Sequence, residues 1–482
     1  MRDLLFQQGV EFPCGGRGRC RGCRIRLLRG AATVNETQRQ ILSQDEISQG
    51  WRLACQCLPE NDLEIELRQW DSAILADDRP FSFKPRQGFG VAVDLGTTTL
   101  VAQLVDLQNG KVRAVKTALN AQSRYGADVM SRVHFAVLEG GQPELQRTIR
   151  NQIGGLIQQI LAADAANDVI HDVVMVGNTV MHHLFCGVNV EPLSHYPFES
   201  PQNGLQEFRA RELNWKLQGD PTVHFLPCLG GFVGSDVLAG ILATGLQESE
   251  GVVGLVDLGT NGEIVIGNRE SLLCTSTAAG PAFEGAKISS GMRAATGAIS
   301  EVQIEADGLE CHVLGDVAPR GICGSGLVDA VAAGLDLNVI TGSGRFSNER
   351  ENWNICPSIS LTQGDIRELQ LAKAAIAAGI KILSDQAGVK ELQHLYLAGA
   401  FGNYVNRTSA RRIGLLNFPP EMIIPAGNTA LLGAKMSLFE KDDDGLSFPS
   451  LRKRIKHVAL NLDPEFQERF VDEMRFPKAR EG

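Results

Sequence analysis

The pentapeptide Val93-Asp94-Leu95-Gly96-Thr97 recurs as Val256-Asp257-Leu258-Gly259-Thr260, 163 residues further along the chain. Each copy closes an apolar run, GVAVD or GLVD. Each is followed by a second run, LVAQLVDL or EIVIG, and then by a turn at Asn109-Gly110 or Gly267-Asn268. Chance recurrence of five residues would not carry matching flanks with it. Strand, Asp-x-Gly-Thr turn, strand, twice over, predicts two related subdomains facing one cleft. Apolar residues at helical spacing over Glu144–Ala163 and Leu369–Ala387 predict helices. Strands alternating with such helices predict a mostly parallel, helix-covered sheet.

The Asp-x-Gly-Thr turn has a chemical logic. Glycine lets the backbone approach a phosphate, turn N–H groups point at its oxygens, and threonine hydroxyls add donors. An aspartate beside them suits hydrated Mg²⁺, which prefers carboxylate plus water. In the first turn Asp94 is assigned to the metal shell, and Gly96, Thr97, Thr98 and Thr99 to phosphate. In the second, Asp257 is assigned to the metal or the attacking water, and Gly259, Thr260 and Asn261 to phosphate. A third glycine-rich stretch, LAGAFGN at 397–403, follows a strand-like run. Its Gly399, Ala400 and Gly402 leave room for a base and ribose, against the competing reading of simple helix–strand packing. Gly177-Asn178-Thr179 and GICGSG at 321–326 are expected where the subdomains connect, with close helix approach at a hinge as their role.

Four cysteines mark a different module. Cys14, Cys20 and Cys23 have the spacing C-x5-C-x2-C, and a fourth thiol follows at Cys55 or Cys57. The pattern is close to the plant-type spacing for a [2Fe–2S] cluster. Gly15, Gly16, Gly18 and Gly22 would let a loop fold tightly over one. A zinc ribbon would want a second C-x2-C, whereas the distal pair is Cys55-x-Cys57. On a strand the two distal thiols share a face, so alternation does not choose between them. The segment RLACQ resembles the last-ligand segment of such ferredoxins, which favours Cys55.

Composition excludes more than it assigns. A net charge of −10 gives no support to nucleic-acid binding, and no stretch of about 18 uncharged apolar residues suggests a membrane span. Eleven cysteines with no recognisable secretory segment predict a reducing cytoplasm. The seven outside the quartet (Cys57, Cys186, Cys228, Cys274, Cys311, Cys323, Cys356) read as buried small hydrophobes. The expected layout is a cluster module over 1–68, a linker over 69–87, a first ATPase subdomain over 88–250 and a second over 251–482.

Phosphate loop, connection, phosphate loop, connection and adenosine loop, in that order, resemble the superfamily of acetate and sugar kinases, Hsp70 and actin. With the cysteine module in front, the chain resembles the reductive activators of corrinoid-dependent enzymes. GNTVMHHLF at 177–185, PCLGGFVGSD at 227–236, AGPAFEGAKISSGM at 279–292 and DPEFQERFVDEM at 463–474 extend the resemblance over nearly the whole chain. It implies an α+β, β-grasp ferredoxin module followed by an α/β actin-like ATPase, two ribonuclease-H-like subdomains around a nucleotide cleft. It implies a [2Fe–2S] cluster, ATP and Mg²⁺ as cofactors. It implies ATP-driven return of a Co(II) corrinoid to Co(I), with a methyltransferase-system corrinoid protein and an electron donor as partners. A homodimer stays open.

Two departures carry expectations. The family's cluster domain begins with a β-hairpin, whereas this sequence starts at what resembles the following helix, Asp3–Gly9. A misplaced start codon with an in-frame upstream stretch is expected. The connector is also short; about 20 residues span at most roughly 65–70 Å. Other residues keep two readings: His182 and His183 as hinge packing or cobalt ligation, Asp236 as metal shell or helix cap, and Glu263 as a water-orienting group. Arg17, Arg19, Arg21 and Arg24 are read as a solvated rim or a donor dock. The rival functions are an ATP-driven activase for another redox enzyme and an ATP-clamped redox-sensing module.

Overall fold

In a computed structural model of the chain, residues 23–42, 44–66, 81–164, 169–306, 308–348, 350–389, 391–439 and 448–478 are described. Cys14, Cys20, Arg17, Arg19, Arg21 and the segment Asp3–Gly9 lie outside them.

The front module is built on β1 (Arg24–Arg29), flanked antiparallel by β2 (Trp51–Leu53) and β3 (Glu64–Glu66). A short helix over Glu36–Ile41 is capped by Asn35, whose side chain accepts from the Gln38 N–H. Cys23, Ile25, Ala32, Leu42, Leu53, Ala54 and Cys57 form its core. Leu63 and Ile65 lean on this core from β3, as their alternation with Glu64 and Glu66 predicts.

Two six-stranded sheets follow. In the first, β4 (Phe89–Leu95), β5 (Thr99–Asp106) and β6 (Val112–Leu119) run as an antiparallel meander. β7 (Ile170–Gly177) lies parallel on the other side of β4. β8 (Gln206–Arg209) edges β9 (Thr222–Phe225), and the sheet order is β6-β5-β4-β7-β9-β8. The second sheet repeats the plan with β10 (Val253–Leu258), β11 (Gly262–Gly267), β12 (Leu272–Thr277), β13 (Leu395–Ala398) and β14 (Ile423–Gly427). Its extra strand, β15 (Ile455–His457), joins at the opposite edge beside β12. The sheets are therefore mixed rather than mostly parallel. Each Asp-x-Gly-Thr turn is a tight hairpin, which forces its two strands antiparallel.

Helices cover the sheets: α1 (Gln142–Asp164), α2 (Thr179–Cys186) and α3 (Ser235–Thr244) in the first half, α4 (Gly324–Asp336), α5 (Gln363–Gln386), α6 (Gly399–Tyr404) and α7 (Thr429–Ser437) in the second. The halves meet where α3 crosses α7. A Cβ on Gly433 would stand 2.1 Å from the Ala239 carbonyl oxygen, so the crossing needs glycine there. Leu238 and Ile241 of α3, Leu431 and Ala434 of α7, Val174 and Val176 of β7, and Leu255 and Val265 of the second sheet share one core. The GICGSG stretch instead opens α4 within the second half, where Gly324 and Gly326 lie against the backbone of Phe283 and Ile299.

Part of the expected linker is docked. Phe81, Phe83 and Phe439 make a three-ring cluster with centroids 4.5–5.4 Å apart. Arg86 donates to the Leu438 carbonyl at 2.6 Å and pairs with Asp172 at 3.0 Å. The chain thus enters the ATPase region fixed to the C-terminal end of α7.

Candidate functional site

Backbone shape separates the two distal thiols. Residues Ala54–Gln56 form a single 3₁₀ turn, not a strand. The two distal thiols therefore part company: Cys55 Sγ lies 3.3 Å from Cys23 Sγ, while Cys57 is turned into the apolar core. Burial pushes the Cys57 thiol up, against the opposing charge of Arg52. Gln38, fully buried, fixes the turn by accepting from the Leu53 N–H at 2.9 Å and donating to the Gln56 carbonyl. Nothing in the pattern singled out this glutamine.

Asp94 and Asp257 end equivalent strands, β4 and β10, and their turns face each other across the α3–α7 junction. Asp94 accepts from Asn428 Nδ2 at 3.0 Å, and Asn428 caps α7 through the Leu431 N–H. Burial raises the Asp94 carboxyl to about 6, an effect this hydrogen bond opposes. Burial, then the charge of Asp94, raises Asp257 to about 7. Asp236, in the first turn of α3, is raised to about 7 by burial and by Asp257 and Asp94, against the hydrogen bond it accepts from the Val237 N–H. The N-cap of α3 is Gly234, so Asp236 stands in the first turn of the helix and not at its cap. Glu263 lies directly across the hairpin from Asp257, with Ser276 Oγ donating to it at 3.3 Å. Burial and the two aspartates hold its carboxyl well above the usual range. Asp236, Asp257, Glu263 and Thr429 line one small pocket.

Like carboxylates gathered in a desolvated place are a cation-attracting field. Among the described residues, no three acidic, thiol or imidazole groups close into a metal cage.

The first turn is closed by Gly96 N–H donating to the Thr99 carbonyl at 3.1 Å, the second by Gly259 N–H donating to the Asn261 carbonyl at 3.0 Å. Thr97 Oγ1 accepts from Asn178 Nδ2 at 2.9 Å, so Gly177-Asn178-Thr179 touches the first turn besides capping α2. Thr260 Oγ1 donates to Glu284 at 2.6 Å. Gly399 has φ +85°, and a Cβ there would stand 2.6 Å from Asp257 Oδ1, so the third motif reaches the second turn. Gly402 faces its own strand at Leu397, the packing position. Phe401 stacks on Phe283 with centroids 4.6 Å apart. His182 and His183 are fully buried in α2, their pKa values pushed down to about 3 and about 4, burial first. His182 packs edge-on to Phe225.

Sequence reasoning missed Asn120, Asn178 and Asn428 as partners of these turns. One signal was available: Gly-Asn-Thr occurs at 177–179 and again at 427–429, and both asparagines cap a helix and bond a first-turn side chain.

Duplicated sheets of this order around paired acidic turns define the ASKHA class of two-lobed ATPase folds. Three family models match in succession: "2Fe-2S iron-sulfur cluster binding domain" over residues 1–60, "RACo middle region" over 89–249 and "C-terminal domain of RACo the ASKHA domain" over 252–481. The corrinoid activation enzyme RamQ of Eubacterium limosum is 34% identical over 433 residues, covering 82% of this chain and 72% of that protein. A [Co(II) methylated amine-specific corrinoid protein] reductase of Methanosarcina barkeri is 28% identical over 432 residues, 80% of this chain and 77% of its own. A solved reductive activator for corrinoid, iron-sulfur protein superposes with a TM-score of 0.73 at 27% identity, covering 97% of this chain and 94% of that one. The chain belongs to the RACo family of reductive activators of corrinoid proteins. No helix among the described residues is long and apolar enough to cross a membrane.

Proposed function

We propose that the chain uses ATP to drive one electron onto the Co(II) corrinoid of a partner protein, regenerating Co(I) for methyl transfer. The observation that carries this is the convergence of two thiols, Cys23 and Cys55, in a chain that also builds a carboxylate-lined two-lobed cleft. Two thiolates at ordinary bond lengths from one tetrahedral metal stand on the order of 3.5–4 Å apart, and this pair, at 3.3 Å, would need to open only slightly to hold a cluster iron. Cys14, Cys20, Cys23 and Cys55 would hold the [2Fe–2S] group. When bound, that group supplies a one-electron carrier, near −400 mV for plant-type clusters. An external donor refills it.

On the nucleotide side, Asp94 and Asp257 attract hydrated Mg²⁺, with Asp236 adding to the field. Gly96, Thr97, Thr98, Thr99, Gly259, Thr260 and Asn261 take the phosphates. Gly399 and Gly402 make room for the nucleoside. Asp257 and its neighbour Glu263 orient the attacking water. Nucleotide binding draws the two turns together, and the α3–α7 crossing is where that motion is felt. The helix whose cap holds Asp94 also anchors the incoming tether, so closure and tether position share one element. The units are a cluster module over 1–68, a tether over 69–87, and ATPase halves over 88–250 and 251–482.

The test is anaerobic. ATP turnover and the Co(I) absorption band are followed with and without a Co(II) corrinoid protein and a strong reductant. The partner is expected to stimulate turnover, and Co(I) to appear only with ATP. ATP consumed without Co(I) from any corrinoid protein offered would overturn the reading. So would a protein that binds no iron or sulfide on reconstitution.

A further inference from the structure

Arg132 sits on the helix Val129–Leu138, behind the first phosphate turn, with none of its surface exposed. Nε donates to the Gly126 carbonyl at 3.0 Å, and Nη1 to Gln122 Oε1 at 3.3 Å and toward Met181 Sδ at 3.3 Å. Nη2 donates to the Thr97 carbonyl. Every one of these partners is neutral. Asp128, the carboxylate whose charge the guanidinium feels, is committed to capping the helix through the Ser131 N–H and hydroxyl, each at 2.8 Å. Burial pushes the guanidinium down to about 9, which still leaves it charged at neutral pH. A buried cation with only neutral acceptors is costly, and such groups are normally paired.

Its neighbours explain the placement. Asn120 Nδ2 donates to the Gly96 carbonyl at 2.9 Å, and Asn120 N–H to the Thr98 carbonyl at 2.8 Å. Three successive carbonyls of the turn, those of Gly96, Thr97 and Thr98, are thus drawn onto one scaffold. In a planar trans peptide the N–H points opposite to the C=O. Holding the Gly96 and Thr97 carbonyls therefore turns the Thr97 and Thr98 N–H groups the other way, as a phosphate-binding nest requires.

Resting on the ATPase reading above, we infer that Arg132 is a positioning residue of the phosphate site. It fixes the N–H groups of the first turn and supplies the counter-charge that the nucleotide's phosphates complete. It acts through the backbone at Thr97 and touches no substrate atom. In the second turn the matching Thr260 carbonyl accepts from a backbone group, the Gly280 N–H, at 3.0 Å, and Thr260 Oγ1 donates to Glu284 Oε1, so an acidic side chain stands where the first turn has a guanidinium. The charge asymmetry assigns phosphate chiefly to the first turn.

The experiment measures binding of Mg–ATP, Mg–ADP and adenosine by calorimetry to the full chain, in wild type, Arg132→Met and Arg132→Lys. A hydrogen bond to a charged group is worth roughly 10- to 100-fold in affinity. Arg132→Met is expected to lose that much for ATP, and less than about threefold for adenosine. Arg132→Lys keeps the charge without the fork and is expected to fall between. A scaffold role alone would lower the unfolding midpoint and weaken all three ligands alike. Equal loss for ATP and adenosine, or undiminished ATP binding in Arg132→Met, overturns the inference. If Arg132→Met does not fold, the ATP-to-adenosine ratio of Arg132→Lys decides alone. Wild type that binds no ATP would sink the parent reading, and this inference with it; wild type that binds ATP with unaffected variants sinks only this one.

Discussion

The two VDLGT turns share a pentapeptide and differ in length by one residue. In the first, Leu95 pairs with Leu100 across four turn residues; in the second, Leu258 pairs with Gly262 across three. Side chains alternate along a strand, so the slip changes what stands opposite the aspartate. Val101 faces Asp94, whereas Glu263 faces Asp257. Behind the first turn sits a cation, Arg132; around the second sit Glu263, Glu284 and Asp236. The two sheets share one plan, yet a one-residue difference in hairpin length and a few polar positions give the halves opposite electrostatic characters. On the function proposed above, one turn would hold phosphate and the other would gather a metal ion and water.

Removing the second carboxylate tests that division most severely. Asp257→Asn is expected to lower ATP turnover by about 10²- to 10⁴-fold, the range for loss of a positioned acid–base group. The visible absorption of the iron–sulfur centre should survive. Asp94→Asn should act mainly on Mg–ATP affinity. Should both variants lower turnover equally with affinity unchanged, the two halves do one job and the contrast fails.

A smaller effect is expected at Gly399, where a side chain meets both a φ of +85° and the Asp257 carboxylate. Strain of this kind costs about 1–3 kcal/mol, roughly 5- to 150-fold in nucleotide affinity. Gly399→Ala should show it, and Gly402→Ala, whose Cβ would meet Leu397 at 3.0 Å, should show much less. The reverse order would mean that the close approach of Gly399 to Asp257 does not matter for nucleotide binding.

Much of the ATPase plan was legible because it is periodic and local. GVAVD, LVAQLVDL and EIVIG became β4, β5 and β11, and the helical spacing at 144–163 and 369–387 became α1 and α5. What escaped was set by tertiary contact. Asn120 and Arg132 follow β6 in a stretch, NAQSRYGADVMSRV, with no turn or motif signature. Their role exists only because β6 ends beside the first turn. Cys55 and Cys57 looked equivalent because strand alternation was assumed where a single 3₁₀ turn intervenes. The hinge was sought at the glycine motifs of 177–179 and 321–326. The halves meet at α3 and α7, where Gly433 meets Ala239 through a contact no local pattern announces. The edge strands β8 and β15 are only four and three residues long, below what alternation can signal.

The acidic side of the cleft should also show itself in stability. Raised carboxyls bind protons in the native state that the unfolded chain, with aspartates near 3.9, has already lost. Stability then falls as pH rises toward the native values. Asp236 and Asp257, both raised to about 7, place the last of this loss near neutrality. The buried histidines act in the opposite sense, but their contribution is complete near pH 6.5, and Lys373, pushed down to about 8, titrates mostly above. Between about pH 6.5 and 7.5 the metal-free protein should lose a few degrees of melting temperature, and Mg–ATP should flatten the slope. A melting temperature that is level or rising across that window would remove the argument for a repelling carboxylate cluster at the second turn.

The smallest effect concerns the two crossing helices. α3 and α7 occupy equivalent places, and each carries at its N-terminal end a residue engaged with the carboxylate cluster, Asp236 or Asn428. Only α7 holds the incoming chain at its other end, through Phe439, Leu438 and the segment Phe81–Arg86. An aromatic pair adds about 0.5–1.5 kcal/mol beyond its buried area, so Phe83→Ala should loosen that anchor without disturbing the cleft. Amide exchange at residues 81–87 should speed by roughly tenfold, while Mg–ATP affinity stays at the wild-type value. A control substitution in the turn just past α3, Leu246→Ala, should leave exchange at 81–87 unchanged. Unaltered exchange in Phe83→Ala would show that the three rings do not hold the segment. The two helices would then differ only in the acid or amide at their first turns.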